Sequence, residues 1–208
     1  MPKRPSSHKS STHKPKQTAT QRNILRIIAG QWRGRKLNFP SIEGLRPTPD
    51  RVRETLFNWL SMDITGARCL DLFSGSGALG LEALSRGAAW VDMVDAAPAA
   101  INQLRSNMQL LDSPSEQTHL ANAIEWLKQA DEQLPYDIIF LDPPFRTGLA
   151  AECLAILKKR ALLKPQSWVY LEMGKEEPLP PLPSDWQLHR EKQAGQLRYQ
   201  LYRAGASV

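Results

Sequence analysis

The chain has 208 residues, 41% of them hydrophobic, and a net charge of +6, enough to bury one core of ordinary domain size. No stretch approaches the roughly 18 uninterrupted apolar residues of a membrane-spanning helix, and the basic N-terminus lacks the apolar run of a secretory signal. The charge is uneven: residues 1–53 carry 13 Lys and Arg against Glu43 and Asp50, a balance of +11, while the rest balances at −5, which points to one end gripping a polyanion.

Residues 1–21 are Ser, Thr, Lys, Pro and Gln without acids. Such a segment cannot bury enough apolar surface to order itself and is expected to be a disordered basic tail. Residues 22–62 read as a basic extension. Within it, ILRIIAGQWRGRKLNFP gives two short strands around Gly30 and Gly34. Pro47 and Pro49 then keep the chain extended, and Thr48 or Asp50 is placed to cap the helix RVRETLFNWLSM. Val52, Leu56, Trp59 and Leu60 form one apolar face of that helix. Arg26, Arg33, Arg35, Lys36, Arg46, Arg51 and Arg53 crowd this region with few acids nearby, a pattern that favours phosphate contact over an ordinary solvated face.

Residues 63–208 alternate β and α. RCLDLFS, AWVDMVDA, THLAN, YDIIFLD and SWVYLEMG read as strands, with GALGLEALSRG, PAAINQLRSNMQLL, AIEWLKQAD and LAAECLAILKKRALL as the helices between them. WQLHREKQA and QLRYQLYRA close the chain as a hairpin around Gly195. The near-continuous apolar strands fit a sheet covered on both faces, so the fold class is α/β, a doubly wound sheet with an antiparallel addition. Cys69 and Cys153 lie in apolar surroundings and read as small buried hydrophobes in a reducing compartment. The four histidines show no metal-ligand spacing, and no metal site is expected.

Two motifs carry chemistry. In DLFSGSGALG, Gly75, Gly77 and Gly80 follow a strand and open a helix, the context of a nucleotide-type cofactor loop. Asp95, about 20 residues further on at the end of the second strand of the alternation, suits both hydroxyls of a ribose; Asp92 falls mid-strand. That carboxylate serves nicotinamide and methyl-donor cofactors alike. Asp71, just before the glycines, would repel a diphosphate but accommodate the ammonium of S-adenosylmethionine, which favours the latter. The second motif, Asp142-Pro143-Pro144-Phe145, follows the fourth strand at the ligand-binding edge. Two prolines remove two N–H donors, leaving a carboxylate and carbonyls beside an aromatic ring, an acceptor-rich pocket suited to an NH2 group.

DPPF together with DLFSGSG resembles the amino-methyltransferases of adenine or guanine. IIAGQWRGRKL, LRPTPDRVRETLFNWL, DLFSGSGALGLEALSRGA and FLDPPF together resemble the bacterial small-subunit (16S) ribosomal RNA guanine-N2 methyltransferases of the RsmD type, over about Ile24 to Arg203. The resemblance implies a Rossmann-like class I methyltransferase domain acting on N2 of a guanine with S-adenosylmethionine. It also implies a small-subunit RNA partner met as a protein-bound particle; separately, the bulk properties suggest a cytoplasmic protein, and no extra apolar surface segment stands out, so a monomer is expected. The resemblance puts Gly75 and Gly77 at the cofactor, with Asp71, Phe73, Ser74 and Ala123 around it, Asp95 on its ribose and Asn122 near its adenine. Asp142 to Phe145 would hold the target base. Asp95 stands where the family often has Glu, and the basic tail lies outside the family core. A DNA adenine amino-methyltransferase, a nicotinamide-dependent oxidoreductase and a binding module on a catalytically dead fold are the alternatives; no insert large enough for a DNA-recognition region is visible, and the oxidoreductase leaves DPPF unexplained.

Overall fold

A computed structural model describes residues 23–42, 47–114 and 116–205; the tail 1–21 and Arg46 lie outside the described residues. The elements run β1 (Asn23–Arg26), β2 (Lys36–Phe39), α1 (Asp50–Trp59), β3 (Arg68–Asp71), α2 (Gly80–Ser85), β4 (Trp90–Asp95) and α3 (Pro98–Leu111). They continue with β5 (Glu116–Leu120), α4 (Ala123–Gln129), β6 (Tyr136–Leu141), α5 (Leu149–Lys159), β7 (Leu163–Gly174), β8 (Gln187–Ala194) and β9 (Leu197–Arg203). Seven strands form one sheet in the order β5-β4-β3-β6-β7-β9-β8. The first five are mutually parallel, and β9 and β8 add antiparallel.

The strand order reverses between β3 and β6, the point where a doubly wound sheet opens a crevice beyond its carboxyl ends. Asp71 is in register with Phe140 across that point, so the glycine loop and the DPPF turn emerge side by side. Alternation along the strands feeds two cores. Ile138, Phe140, Trp168 and Tyr170 face one way, onto β1, β2, α1, α2 and α3. Ile139, Leu141, Val169 and Leu171 face the other way, onto α4 and α5. Both cysteines are buried and free.

The basic extension is not a separate body. Leu25, Ile27, Trp32, Leu37, Val52, Leu56, Phe57 and Leu60 join the core of the first face, and Trp59, half-buried, stacks on Tyr199 with ring centroids 5.6 Å apart. Polar clamps fix its pose. Glu82, fully buried on α2, accepts from the Ile28 and Ala29 backbone N–H groups at 2.9 and 3.0 Å. It also meets the guanidinium groups of Arg53 at 3.4 Å and Arg86 at 2.8 Å. Beside it, the Gln31 and Trp32 N–H groups reach the Ser85 carbonyl and hydroxyl at 2.7 and 3.1 Å. The chain must lie flat there, and residue 30 must be glycine: its φ is +81° and a Cβ would overlap the Ser85 carbonyl.

Several boundaries differ from the sequence expectation. Neither Thr48 nor Asp50 caps α1. Pro49 occupies the cap position without a side-chain bond, Thr48 turns into the sheet, and Asp50 begins the helix and pairs with Arg53 at 2.7 Å. Helix α5 stops at Lys159 because the Arg160 guanidinium turns away to the carbonyls of Leu127, Lys128 and Ala130 at the end of α4; β7 starts at Leu163. Helix α2 begins at Gly80, three residues later than its sequence pattern indicates, after a run of turns.

Glu82 satisfies four donors from outside its own backbone, so Glu82→Ala should lower stability by about 3–5 kcal/mol, because it strands buried guanidinium and N–H groups. Thermal unfolding followed by circular dichroism should show a Tm roughly 10 °C below wild type. A change of less than about 3 °C would mean that the clamp is not what holds the extension.

Candidate functional site

The glycine turn is built by its own hydrogen bonds. Asp71 ends β3 buried, its Oδ2 accepting from the Gly80 N–H at 2.9 Å. The Ser74 hydroxyl donates to the Asp71 carbonyl at 2.8 Å, and the Gly77 N–H to the Ser74 carbonyl at 2.6 Å. Gly77 serves packing here: at φ +80° a Cβ would come within 2.5 Å of the Leu104 side chain. Asp95, partly exposed at the end of β4, accepts from the Gly75 N–H at 2.8 Å and from the Ala97 N–H at 2.7 Å. Each carboxylate oxygen thereby retains lone-pair capacity toward the crevice. Asp92 is excluded from ligand duty. It is buried and bonded to Arg68 at 2.6 Å, Tyr136 at 2.8 Å and His119 at 3.0 Å. Burial alone would raise its proton affinity, but the bonds from His119 and Tyr136 and the Arg68 charge outweigh burial and hold it below the usual carboxylate value.

On the same edge Phe73 is half-buried against the second core and Ala123 is buried as the first residue of α4. Asn122 caps that helix, its Oδ1 accepting from the Ile124 N–H at 2.9 Å, which leaves its NH2 as the group free to meet a ligand.

Asp142 follows β6, with Pro143 buried, Pro144 exposed and Phe145 45% exposed. The Pro144 carbonyl is taken by the Thr147 hydroxyl at 2.7 Å; among the described residues no donor meets the Pro143 carbonyl. Asp142 Oδ2 accepts from Thr48 Oγ1 at 3.4 Å. Its proton affinity is raised well above the ordinary value, by burial first and then by the charges of Glu172 and Asp71. Burial also pushes Asp71 up to about 7, partly offset by the Gly80 bond and assisted by Asp95. Burial likewise pushes Glu172 to about 7, against the hydrogen bonds from Tyr170 and Thr48.

Sequence reading did not single out four of the residues that shape this site. Thr48 was expected to be a helix cap. Tyr170 and Glu172 share one face of β7, where an acid amid a buried central strand (YLEM) is the signal that could have exposed them. Glu177, beyond β7, accepts from the Arg146 N–H at 3.0 Å and the Gly174 N–H at 3.2 Å. It thus ties the DPPF turn down where Arg146 adopts a left-handed φ of 61°. No comparable local signal marked Glu177.

Among the basic candidates, Arg26, Arg33, Arg35, Lys36 and Arg51 are exposed, and none pairs with a carboxylate among the described residues. Arg53 must be withdrawn as a phosphate ligand. Its side chain is wholly buried, bonded to Asp50, to Glu82 and to the Arg26 carbonyl at 2.8 Å, because the helix face that carries it packs against α2. A surface depression of about 550 Å³ lined by Trp32, Arg86, Leu111 and Pro114 lies at the amino ends of the strands, opposite these motifs. Among the described residues no three His, Cys, Asp or Glu side chains group as a metal site, and no helix is long and apolar enough to cross a membrane.

The family model described as conserved hypothetical protein 95 matches residues 25–203. The ribosomal RNA small subunit methyltransferase D of Escherichia coli is 49% identical over 182 residues, covering 88% of this chain and 91% of that protein. The protein of the same name from Haemophilus influenzae is 46% identical over 188 residues, with 89% and 97% covered. The solved structure of Escherichia coli yhhF superposes with a TM-score of 0.82 at 46% identity, covering 89% of this chain and all of that one. With a glycine turn and a DPPF turn set side by side at the sheet's switch point, and a family model spanning nearly all the described chain, this protein belongs to the ribosomal RNA small subunit methyltransferase D family.

Proposed function

We propose that this protein transfers the methyl group of S-adenosylmethionine to the exocyclic N2 of a guanine in small-subunit ribosomal RNA, in the cytoplasm. The observation that carries this reading is the pairing of Asp71 with Phe140 across the switch point, which sets Asp142 beside the glycine turn. The residues present fit the cofactor. Asp95 has oxygens left for two ribose hydroxyls, the Asn122 NH2 can meet a ring nitrogen, and Asp71 is an uncompensated acid suited to a neighbouring cation. When bound, the cofactor supplies an electrophilic sulfonium methyl.

The chain's own residues orient the other reactant. The lone pair of a guanine amino group is delocalised into the ring, so the group is a weak nucleophile. Asp142 and the open Pro143 carbonyl accept its two N–H bonds and turn the lone pair out of the ring plane, so that rate comes largely from positioning. Phe145, exposed at the mouth, offers a ring for the base to stack on, a contact of about 1–3 kcal/mol. The base must leave its stack to enter. Arg33, Arg35 and Lys36 on the hairpin, with Arg26 and Arg51, hold RNA phosphates. The clamp that fixes the hairpin also bonds Arg53 in the first turn of α1, a short stretch of chain from Thr48 and the target pocket.

Asp142→Ala should reduce methylation of small-subunit RNA from cells lacking this protein by about 10²–10⁴-fold. Cofactor affinity, read by calorimetry, should stay within about threefold, because Asp142 grips the base rather than the donor. Retained turnover in that variant, or label mapped to adenine N6, would overturn the reading. The triple variant Arg33→Ala, Arg35→Ala, Lys36→Ala should weaken RNA binding across sequences and flatten the dependence of log affinity on log salt by about 2; an unchanged slope would remove the hairpin from the RNA interface.

A further inference from the structure

Glu172 is 3% exposed near the end of β7, and its chain neighbours, Leu171 and Met173, are core. A carboxylate is a poor choice for such a place if its task is only structural. Glutamine would accept the same bond from the Tyr170 hydroxyl, which reaches Glu172 Oε2 at 2.7 Å, without the desolvation penalty of a charge. The register shows what the acid is beside. Phe140 pairs with Tyr170 and Leu141 with Leu171, so the next step along both strands brings Asp142 alongside Glu172, on the face that carries Phe140 and Tyr170.

Among the described residues the surroundings contain donors and acids but no cation paired with them. Thr48 reaches Asp142 from the segment before α1, Tyr170 comes from β7 itself, Tyr199 sits opposite Glu172 on β9, and Asp71 lies on β3 two strands away. Among the described residues no Lys, Arg or His pairs with either carboxylate. Two neighbouring carboxylates in a largely buried site resist ionising together.

We infer that Glu172 is a positioning residue acting through Asp142: its negative charge makes Asp142 the acceptor of the proton that leaves the target amine. This rests on the reading above that Asp142 grips an exocyclic NH2. As the nitrogen–methyl bond forms and the sulfur–methyl bond breaks, one N–H bond breaks with its electron pair left on nitrogen, and the proton goes to a carboxylate oxygen of Asp142. Asp142 is partly exposed and returns the proton to solvent at the mouth of the site. A lone carboxylate with an ordinary value near 4 would be poorly matched to this at neutral pH. Burial and the Glu172 charge together correct the mismatch.

The test is the pH dependence of single-turnover methylation with saturating cofactor. In the wild-type protein the rate should climb with pH through an acid limb well above 4, where Asp142 loses its proton. In Glu172→Gln the limb should move to lower pH by about one pH unit, while Glu172→Asp, which keeps the charge, should stay near wild type. An unmoved limb in Glu172→Gln, with Asp142→Ala inactive, overturns this inference and leaves the base-gripping role of Asp142 standing. An active Asp142→Ala would instead sink the base-gripping reading itself. Should Glu172→Gln fail to fold, carboxyl ¹³C NMR of the unmodified protein decides. Coupled titrations of Asp142 and Glu172 above the usual range support the inference, and both groups titrating near 4 overturn it.

Discussion

Three carboxylates brought to neighbouring strand ends, with no cation paired to them among the described residues, are the constraint around which this molecule is organised. Asp71 ends β3, Asp142 follows β6 and Glu172 lies near the end of β7, adjacent strands whose register is set by apolar side chains packing on both faces. Asp71 and Glu172 are buried and Asp142 is only partly exposed, and burial is the leading cause of the raised proton affinity of all three. Between pH about 4, where such groups titrate in an unfolded chain, and about 7, the folded state binds protons that the unfolded state has released. Stability contributed by these groups therefore falls as pH rises through that window. A fold keeps such a liability where the charge has a use.

The rest of the structure serves to hold partners against these acids. Glu82 on α2 gathers the hairpin N–H groups and two guanidinium groups into one buried knot. Arg53 passes that fixation to the start of α1 and to the Arg26 carbonyl. Two residues before α1, Thr48 is thus delivered to Asp142. From the other side Glu177 holds the Arg146 N–H and keeps the DPPF turn in its strained path. The hairpin that carries the exposed cations and the segment that brings Thr48 to Asp142 are thus tied to the same buried knot around Glu82.

Much of this was legible in the sequence because period and punctuation are local. The β/α alternation, the α3 limits at Pro98 and Leu111, the closing hairpin and the adjacency of the two motifs all follow from patterns a few residues long. Asp92 was separated from Asp95 by strand alternation alone, and the structure explains the difference by giving Asp92 three buried partners. What escaped was tertiary. Arg53 looks like its neighbours Arg51 and Arg46 in the chain, and only the packing of α1 on α2 turns it inward. Thr48 reads as a helix cap because nothing local reveals an acceptor 94 positions away. Glu172 carried a warning, an acid on a core strand, but its meaning depends on β6 lying next to β7 in a particular register.

The same acids bear on which cofactor chemistry the crevice tolerates. A nicotinamide dinucleotide would bring its diphosphate to the start of α2, against Asp71 and within the field of Asp142 and Glu172. In a weakly screened interior that like-charge contact is unfavourable at every approach. α2 itself offers little in return, since its first N–H is already spent on Asp71 Oδ2. A cofactor whose reactive end is cationic meets the opposite field: each acid whose proton affinity burial raises becomes easier to ionise beside a sulfonium or ammonium. The ligand's charge and the site's proton affinities are then two sides of one coupling. The electrostatics that make this crevice costly to fold at neutral pH also select the class of donor it can hold.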